Sequence, residues 1–319
     1  MIGLPENVSE LLDTGFARLF AVDDERDRIR GVHELLASCG FSSVSELQAA
    51  VHDQEHSERM FKVDRDILAP VTGESWLIFM NHGYAPTDHD ASRFPSLDAE
   101  DDKWRHQVFL YFYLLNFAKA RHSCMGSGEC DLLDVGCGRG GGLAAMKRYY
   151  GLRRAVGIDA NPQQIAFCID RHQKAGLEFA NGSAMALPVS SESIDVVTNV
   201  ESSHCYDDLP RFLAEVRRVL RPNGLFLLAD NRERCGGKRF TLEAALLGSG
   251  LRLVHKENIT ERVRQACIRD TERFKSIFSN EKAEGIRKVS ENSEKAYASG
   301  SGIYLAYVLE KESRVTPCS

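Results

Sequence analysis

Asp131-Leu132-Leu133-Asp134-Val135-Gly136-Cys137-Gly138-Arg139-Gly140-Gly141-Gly142 is the stretch on which the reading of this chain turns. An apolar run ends in a glycine cluster, and the amphipathic segment Leu143 to Tyr150 follows. That order reads as strand, tight turn, helix. Glycines at 136, 138 and 140 let the backbone turn sharply and approach a ligand with no Cβ in between. The free N–H groups of the helix start then face that ligand. Downstream, the apolar run Ala155-Val156-Gly157-Ile158 ends in Asp159. A carboxylate at that position suits a ribose diol, because it accepts two hydroxyl hydrogen bonds at once.

Two cofactor classes fit strand, glycine turn, helix, strand and acid: a dinucleotide and S-adenosyl-L-methionine. Gly136, Gly138 and Gly141 nominally meet the dinucleotide spacing G-x-G-x-x-G, so the glycines alone do not separate the two. Asp134 does. A carboxylate inside the strand repels a pyrophosphate and suits the ammonium of a methionine moiety, directly or through water.

Composition narrows the classes further. A chain of 319 residues suggests one large domain with additions or two small ones, and 43% hydrophobic residues support a real core. A net charge of −6 argues against a nucleic-acid-binding surface, which needs a basic excess to neutralise phosphates. The opening residues Met1 to Glu6 offer neither a basic n-region nor a long apolar run, and the densest apolar stretch, Trp76 to Met80, is far too short for a membrane span. Nine cysteines without C-x-x-C spacing read as reduced thiols. A cytoplasmic protein is the expectation.

Residues 1–65 read as amphipathic helices, with Leu11, Leu12, Phe16, Leu19 and Phe20 on one face. Ser43-Val44-Ser45-Glu46 has capping-box spacing. His52-Asp53-Gln54-Glu55-His56 matches the H-x-x-E-H zinc spacing, but a charged, solvated helix face explains it more simply, and no metal is expected. Residues 87–103 read as an acidic loop and Trp104 to Ala120 as a helix. From 131 the rhythm alternates strand and helix, which means a parallel sheet covered on both faces. The strands expected are Leu132–Gly136, Arg154–Asp159, Leu177–Ala180, Ile194–Asn199, Leu225–Ala229, Leu251–Lys256 and Ile303–Leu309. Asn161 and Pro162 open one helix, and another starts near Asp207 and is stopped by Arg221-Pro222-Asn223-Gly224. Residues 261–300 read as charged helices with Phe274, Ile277 and Phe278 as an apolar stripe, and the tail from Lys311 as disordered. The expected division is a helical region and cap at 1–122, a cofactor-binding domain at 123–310 with a helical insert at 261–300, and a tail at 311–319.

The glycine-rich run 136–142, the segment Asp195-Val196-Val197-Thr198-Asn199-Val200-Glu201-Ser202-Ser203-His204-Cys205-Tyr206, and Phe212 to Pro222 resemble class I S-adenosylmethionine-dependent methyltransferases. The likeness is greatest to the phthiotriolone/phenolphthiotriolone dimycocerosate methyltransferases and related bacterial natural-product enzymes. Phe79-Met80-Asn81-His82-Gly83-Tyr84 is similar to a segment ahead of the core in that group. The resemblance covers about 75–310, with residues 1–65 outside it. It implies an α/β, doubly wound, seven-stranded, mostly parallel sheet (Rossmann-like) whose final strand is antiparallel, with an N-terminal helical cap. By position it also implies that Asp134, Gly136, Cys137, Gly138 and Gly140 hold the methionine end and Asp159 the ribose, with Ala160 beside it. Ala184 and Met185 then lie at the adenine, and Asn199 and Val200 at the sulfonium. Ser183 stands where the family often has an acid; its hydroxyl accepts from the adenine amino group more weakly.

Methyl transfer is an in-line displacement at a carbon on positive sulfur, so much of the catalysis is alignment. A hydroxyl acceptor also needs its proton removed as it attacks. The loop after the fourth strand is the place for that base. His204 is the first candidate, since its ordinary pKa lies nearest neutrality; its structural alternative is to pin the loop. Glu201 is a second base, or orients His204, or bonds the cofactor. Tyr84 closes over the donor from the cap, or is plain core packing. Cys205 reads as a small buried hydrophobe. The expected acceptor is a small or lipidic natural product, methylated at oxygen, with the insert at 261–300 and residues 66–122 forming its pocket. Carbon methylation, a nicotinamide-dependent oxidoreductase and a non-catalytic cofactor-binding scaffold are the rivals. The aromatic N-terminal helices are the surface expected to pair subunits if the chain forms a homodimer.

Overall fold

The computed structural model describes residues 4, 6–51, 77–172, 175–233, 237–277 and 283–313. His52, Glu55, His56 and Phe278 lie outside the described residues. The strands are β1 (Asp131–Val135), β2 (Arg154–Asp159), β3 (Glu178–Asn181), β4 (Ile194–Val200), β5 (Leu220–Glu233), β6 (Arg252–Asn258) and β7 (Gly302–Glu310). They form one seven-stranded sheet in the order β3-β2-β1-β4-β5-β7-β6. β1 lies between β2 and β4 in parallel, whereas β7 runs antiparallel between β5 and β6. Every residue of β1 and β4 is buried, which is what continuous apolar runs imply for strands covered on both faces.

Alternation along the strands divides the core in two. On the first face Leu132, Val196, Leu227 and Tyr304 pack against α6 (Arg105–Arg121), α7 (Gly141–Tyr150) and α11 (Thr260–Ile277). On the second face Leu133, Val197, Phe226 and Leu305 pack against α9 (Leu209–Val219) and α10 (Gly237–Gly248). α1 (Glu6–Leu19), α2 (Glu25–Ser38) and α3 (Val44–Val51) bring Leu12, Phe16, Leu36 and Leu47 onto Phe240, Ala244 and Leu247 of α10. Full burial of a Leu or Phe contributes roughly 1.5–3 kcal/mol each. Phe16 and Phe240 lie 6.4 Å apart, so the aromatic face expected to pair subunits is used within the chain, and Leu11 is exposed instead of joining it. No helix among the described residues is long and apolar enough to cross a membrane.

Local signals set several boundaries. Asn161 Oδ1 accepts from Gln163 N at 2.9 Å and caps α8 (Pro162–His172). Asp208, not Asp207, caps α9 by accepting from Arg211 N. Ser43 caps α3 through Glu46 N, but Glu46 turns its carboxylate back to Ser42, one residue before the expected partner. The stretch 87–103 is not wholly loop: Thr87 and Asp98 cap the short helices α4 (Asp88–Ala91) and α5 (Ala99–Asp102). β5 runs four residues beyond Ala229 because β7 pairs with it as far as Glu233. It also begins at Leu220, so Arg221-Pro222-Asn223-Gly224 lies within the strand, with Asn223 at φ +65°. Lys311 is no disordered tail: its N–H donates to Gly224 O at 2.9 Å, and its ammonium reaches Leu220 O and Glu192. The insert resolves into α11 and α12 (Ala283–Ala298), with Phe274 buried and Ile277 half-buried.

Candidate active site

The glycine turn sits at the carboxyl end of β1. Gly136 has φ +73°, and a Cβ there would fall 2.0 Å from Ser202 Oγ, so the loop after β4 closes directly onto it. Gly138 donates its N–H to Asp159 Oδ2 at 2.9 Å, and Gly140 opens α7. Gly141 serves packing instead: a Cβ would fall 2.3 Å from the Ile78 carbonyl oxygen. The segment 77–85 therefore crosses the turn, with Met80 Sδ the nearest atom above Gly138. Cys137 is buried and turned inward, its thiol beside Gly157 and Cys168.

Asp134 is 1% exposed; its Oδ1 accepts from Thr198 Oγ1 at 2.7 Å, and its Oδ2 has no partner among the described residues. Burial raises its carboxyl to about 7, the Thr198 hydroxyl opposes this, and the charge of Asp159 adds to it. Asn199, on the adjoining strand, donates Nδ2 to Val135 O and to the Tyr206 hydroxyl, leaving its buried Oδ1 also without a partner. A buried carboxylate oxygen such as Asp134 Oδ2 is costly unless a donor arrives. An ammonium group supplies that donor and a compensating charge, so this end of the site fits the amino-acid moiety of S-adenosylmethionine. Asp159 at the end of β2 accepts from Gly138 N and from Asn161 N, which orients its carboxylate; Ala160 beside it is exposed. The Ser183 hydroxyl accepts from Met185 N at 3.2 Å within its own turn, Ala184 is buried and Met185 is half-buried.

Beyond β4 the structure separates residues that the sequence groups together. Glu201 adopts φ +48°, a left-handed conformation uncommon outside glycine. Its Oε1 accepts from His82 N and from the Tyr304 hydroxyl, each at 2.7 Å, and its Oε2 lies 3.5 Å from His82 Nδ1. The His82 ring also meets Ser293 Oγ at 2.8 Å through Nε2 and the Tyr297 hydroxyl at 3.1 Å through Nδ1. This cluster lies on the first face, next to Val200, which is buried there.

His204 lies elsewhere. Asp230 and Arg232 follow Phe226 and Leu228 in the strand alternation, which puts them on the second face. Asp230 Oδ1 bonds His204 Nδ1 at 2.7 Å, while Oδ2 accepts from Ser203 Oγ and His204 N and pairs with Arg232 at 2.9 Å. Burial disfavours charge on His204, but the adjacent Asp230 carboxylate outweighs it and lifts the imidazole to about 10. At neutral pH His204 is therefore an imidazolium and has no lone pair for a proton. Its ring borders a cavity of about 40 Å³ shared with Gln48 and Val51 of α3. Gln48 bridges the loop, donating to Tyr206 O and accepting from Leu209 N.

Tyr84 is not brought to the site: its hydroxyl donates to Asp90, and its ring stacks on Tyr113 at 4.6 Å. Cys205 is exposed, not a buried hydrophobe, because the turn of 3-10 helix at Ser203–Cys205 points it outward. His82, Asp230, Ser293, Tyr297 and Tyr304 go unassigned in the sequence reading. Asp230 carries a legible signal, a carboxylate directly after an apolar strand, as Asp159 is after β2. Cys124, Cys130 and Asp195 lie close together at the other end of β1, but Asp195 is committed to Asp131 N and Arg221.

Residues 133–228 match a family model described as a methyltransferase domain. The chain is 32% identical over 237 residues to the phthiotriol/phenolphthiotriol dimycocerosates methyltransferase of Mycobacterium tuberculosis, covering 74% of this chain and 83% of that protein. A fatty-acid O-methyltransferase of Mycolicibacterium smegmatis is 34% identical over 204 residues, 63% of this chain and 69% of its own length. Among solved structures, geranyl diphosphate C-methyltransferase from Streptomyces coelicolor, in complex with S-adenosyl-L-homocysteine, superposes with a TM-score of 0.56 at 18% identity, over 78% of this chain and 97% of that one. The last likeness is one of fold.

Proposed function

The chain belongs to the S-adenosylmethionine-dependent methyltransferase family that includes the phthiotriol/phenolphthiotriol dimycocerosates methyltransferases, and on that premise we propose that it methylates an oxygen of a lipidic acceptor. The observation that carries this reading is the Glu201–His82 cluster, walled by buried aromatic rings at the end of β4. The buried side chains of Tyr111, Tyr297, Tyr304 and Phe79 make the surroundings of this acid–base pair largely apolar. Such surroundings suit a long apolar molecule whose reacting oxygen is its main polar group. The names of the two mycobacterial relatives, a phthiotriol methyltransferase and a fatty-acid O-methyltransferase, support the same substrate class.

When bound, S-adenosylmethionine supplies a methyl carbon on a positive sulfur, already activated for displacement. Asp134 Oδ2 would hold its amino group, Asn199 and Val200 would lie beside the sulfonium, and Asp159 would accept from the ribose hydroxyls. Ala184 and Met185 flank the adenine, with the Ser183 hydroxyl as a neutral acceptor beside them. The Asp230–His204–Arg232 cluster holds the loop after β4 in place and takes no proton. Helices α11 and α12, with the segment 77–122, form the acceptor's enclosure.

Incubation of the protein with S-adenosylmethionine and either hexadecanoic acid or hexadecanol, followed by mass spectrometry, tests this. A product methylated on oxygen is expected. Methylation at carbon or nitrogen, or donor binding with no transfer to either acceptor, overturns it.

A further inference from the structure

Resting on that reading, we propose that His82 is the group that takes the acceptor's proton and that Glu201 is its positioning residue. The segment 77–85 spans the glycine turn, with Ile78 over Gly141 and Met80 over Gly138, and then delivers His82 to the end of β4. Its backbone N–H is fixed on Glu201 Oε1, so the ring stands where the turn that holds the donor and the insert helices meet.

The other titratable groups around it are unsuited to the task. Burial, reinforced by the Glu201 charge, pushes the Tyr297 and Tyr304 phenols well above their ordinary range, so both remain neutral donors. Burial, with the Asp134 charge and then that of Glu201 adding to it, holds Tyr111 protonated, and burial does the same to the Cys267 thiol. Glu201 Oε1 is filled by two donors, and Oε2 faces the imidazole. His204 is an imidazolium on the opposite face.

A proton on His82 Nδ1 has Tyr297 Oη as its hydrogen-bond acceptor, and the Glu201 Oε2 charge lies 3.5 Å away. That leaves the Nε2 lone pair directed at Ser293 Oγ, 2.8 Å away. The nearby carboxylate charge favours the imidazolium that forms. In the transfer step the acceptor's O–H bond breaks and its oxygen bonds to the methyl carbon. The proton goes to Nε2, either directly or by exchange through the Ser293 hydroxyl. The electron pair of the breaking C–S bond goes to sulfur, which leaves as a neutral thioether, and the imidazolium returns its proton to solvent.

The test compares wild type with His82→Ala and His82→Gln on hexadecanol, whose hydroxyl carries the proton to be removed, alongside calorimetric binding of S-adenosylmethionine. Both variants should lose about 100-fold or more in kcat. Both should bind S-adenosylmethionine within about twofold of wild type, and added imidazole should restore part of the rate of His82→Ala. A His82→Gln variant near wild-type kcat, or loss of donor affinity equal to the loss of rate, overturns the assignment and leaves O-methylation standing. Methylation of hexadecanoic acid alone, which is already a carboxylate at neutral pH, also overturns the assignment, and wild-type failure on both acceptors overturns the reading on which it rests.

Discussion

Two histidine–carboxylate pairs lie near the same edge of the sheet, on opposite faces, and they do different work. His204 and Asp230 meet at 2.7 Å, with Arg232 and Ser203 completing the bonds of the carboxylate. His82 and Glu201 meet at 3.5 Å, and hydroxyl groups share both ring nitrogens. The tight pair is a buried ion cluster whose proton is held so firmly that it is lost to chemistry. In the loose pair the imidazole is hydrogen-bonded to hydroxyl groups, and its carboxylate is held by His82 N and the Tyr304 hydroxyl instead of by a cation.

The largest effect that would sharpen this contrast is on stability. Asp230→Asn leaves the His204 and Arg232 charges buried without a counter-ion, and unfolding in urea should show a loss of about 3–5 kcal/mol. A variant as stable as wild type would break the contrast. Glu201→Gln should do the reverse. Its amide oxygen still accepts from His82 N and the Tyr304 hydroxyl, so stability should change by less than about 1 kcal/mol. Turnover should fall by roughly 10–100-fold in kcat, with the KM for S-adenosylmethionine unchanged. A rise in KM alone would recast Glu201 as a donor contact.

The empty Asp134 carboxyl, raised to about 7, gives the next effect. Only its ionised form attracts an ammonium, so calorimetric affinity for S-adenosylmethionine should climb as pH rises through about 7, by up to about tenfold per pH unit below it. Asp134→Asn should bind weakly at every pH, without that slope. His204 gives a smaller one. Its folded pKa of about 10 lies above the ordinary 6.5, so its stabilisation is fully present below about 6.5 and is lost as pH rises through about 10. The thermal midpoint of wild type should therefore fall across that window more steeply than that of His204→Gln. The smallest effect is expected from Ser183→Asp, where a charged acceptor replaces a neutral one near the adenine; affinity for S-adenosylmethionine should improve by about threefold.

How much was legible in the chain follows from the range of the interactions. β1, β2 and β4 were legible to within a residue at each end because buried parallel strands need unbroken apolar runs; they end at Val135, Asp159 and Val200. β5 was legible only as far as Ala229. Its polar end, Asp230 to Glu233, is strand because β7 lies alongside it, some 70 residues further on. Asp134 and Asp159 could be singled out because each follows from spacing within one βαβ unit, and the structure places them in the last two residues of β1 and β2. Tyr84 misled because an aromatic next to a glycine reads the same whether it faces a ligand or Tyr113. His204 misled because nothing near it in the sequence announces Asp230, which comes from the next strand.

By itself, the sequence determined the strand–helix alternation and the glycine turn through hydrophobic periodicity and short-range spacing, the cofactor class through the charge of Asp134, and the family through the resemblance its motifs carry. Only the tertiary structure decided which histidine stands on which face of the sheet. That choice depends on the alternation of β5 and on the path of the segment 77–85 over the glycine turn. The first brings His204 to Asp230, 26 residues on, and the second brings His82 to Glu201, 119 residues on. A proton's affinity for an imidazole is set by the charges within a few ångströms of it. Those neighbours are assembled by packing, so the assignment of roles waits for the fold.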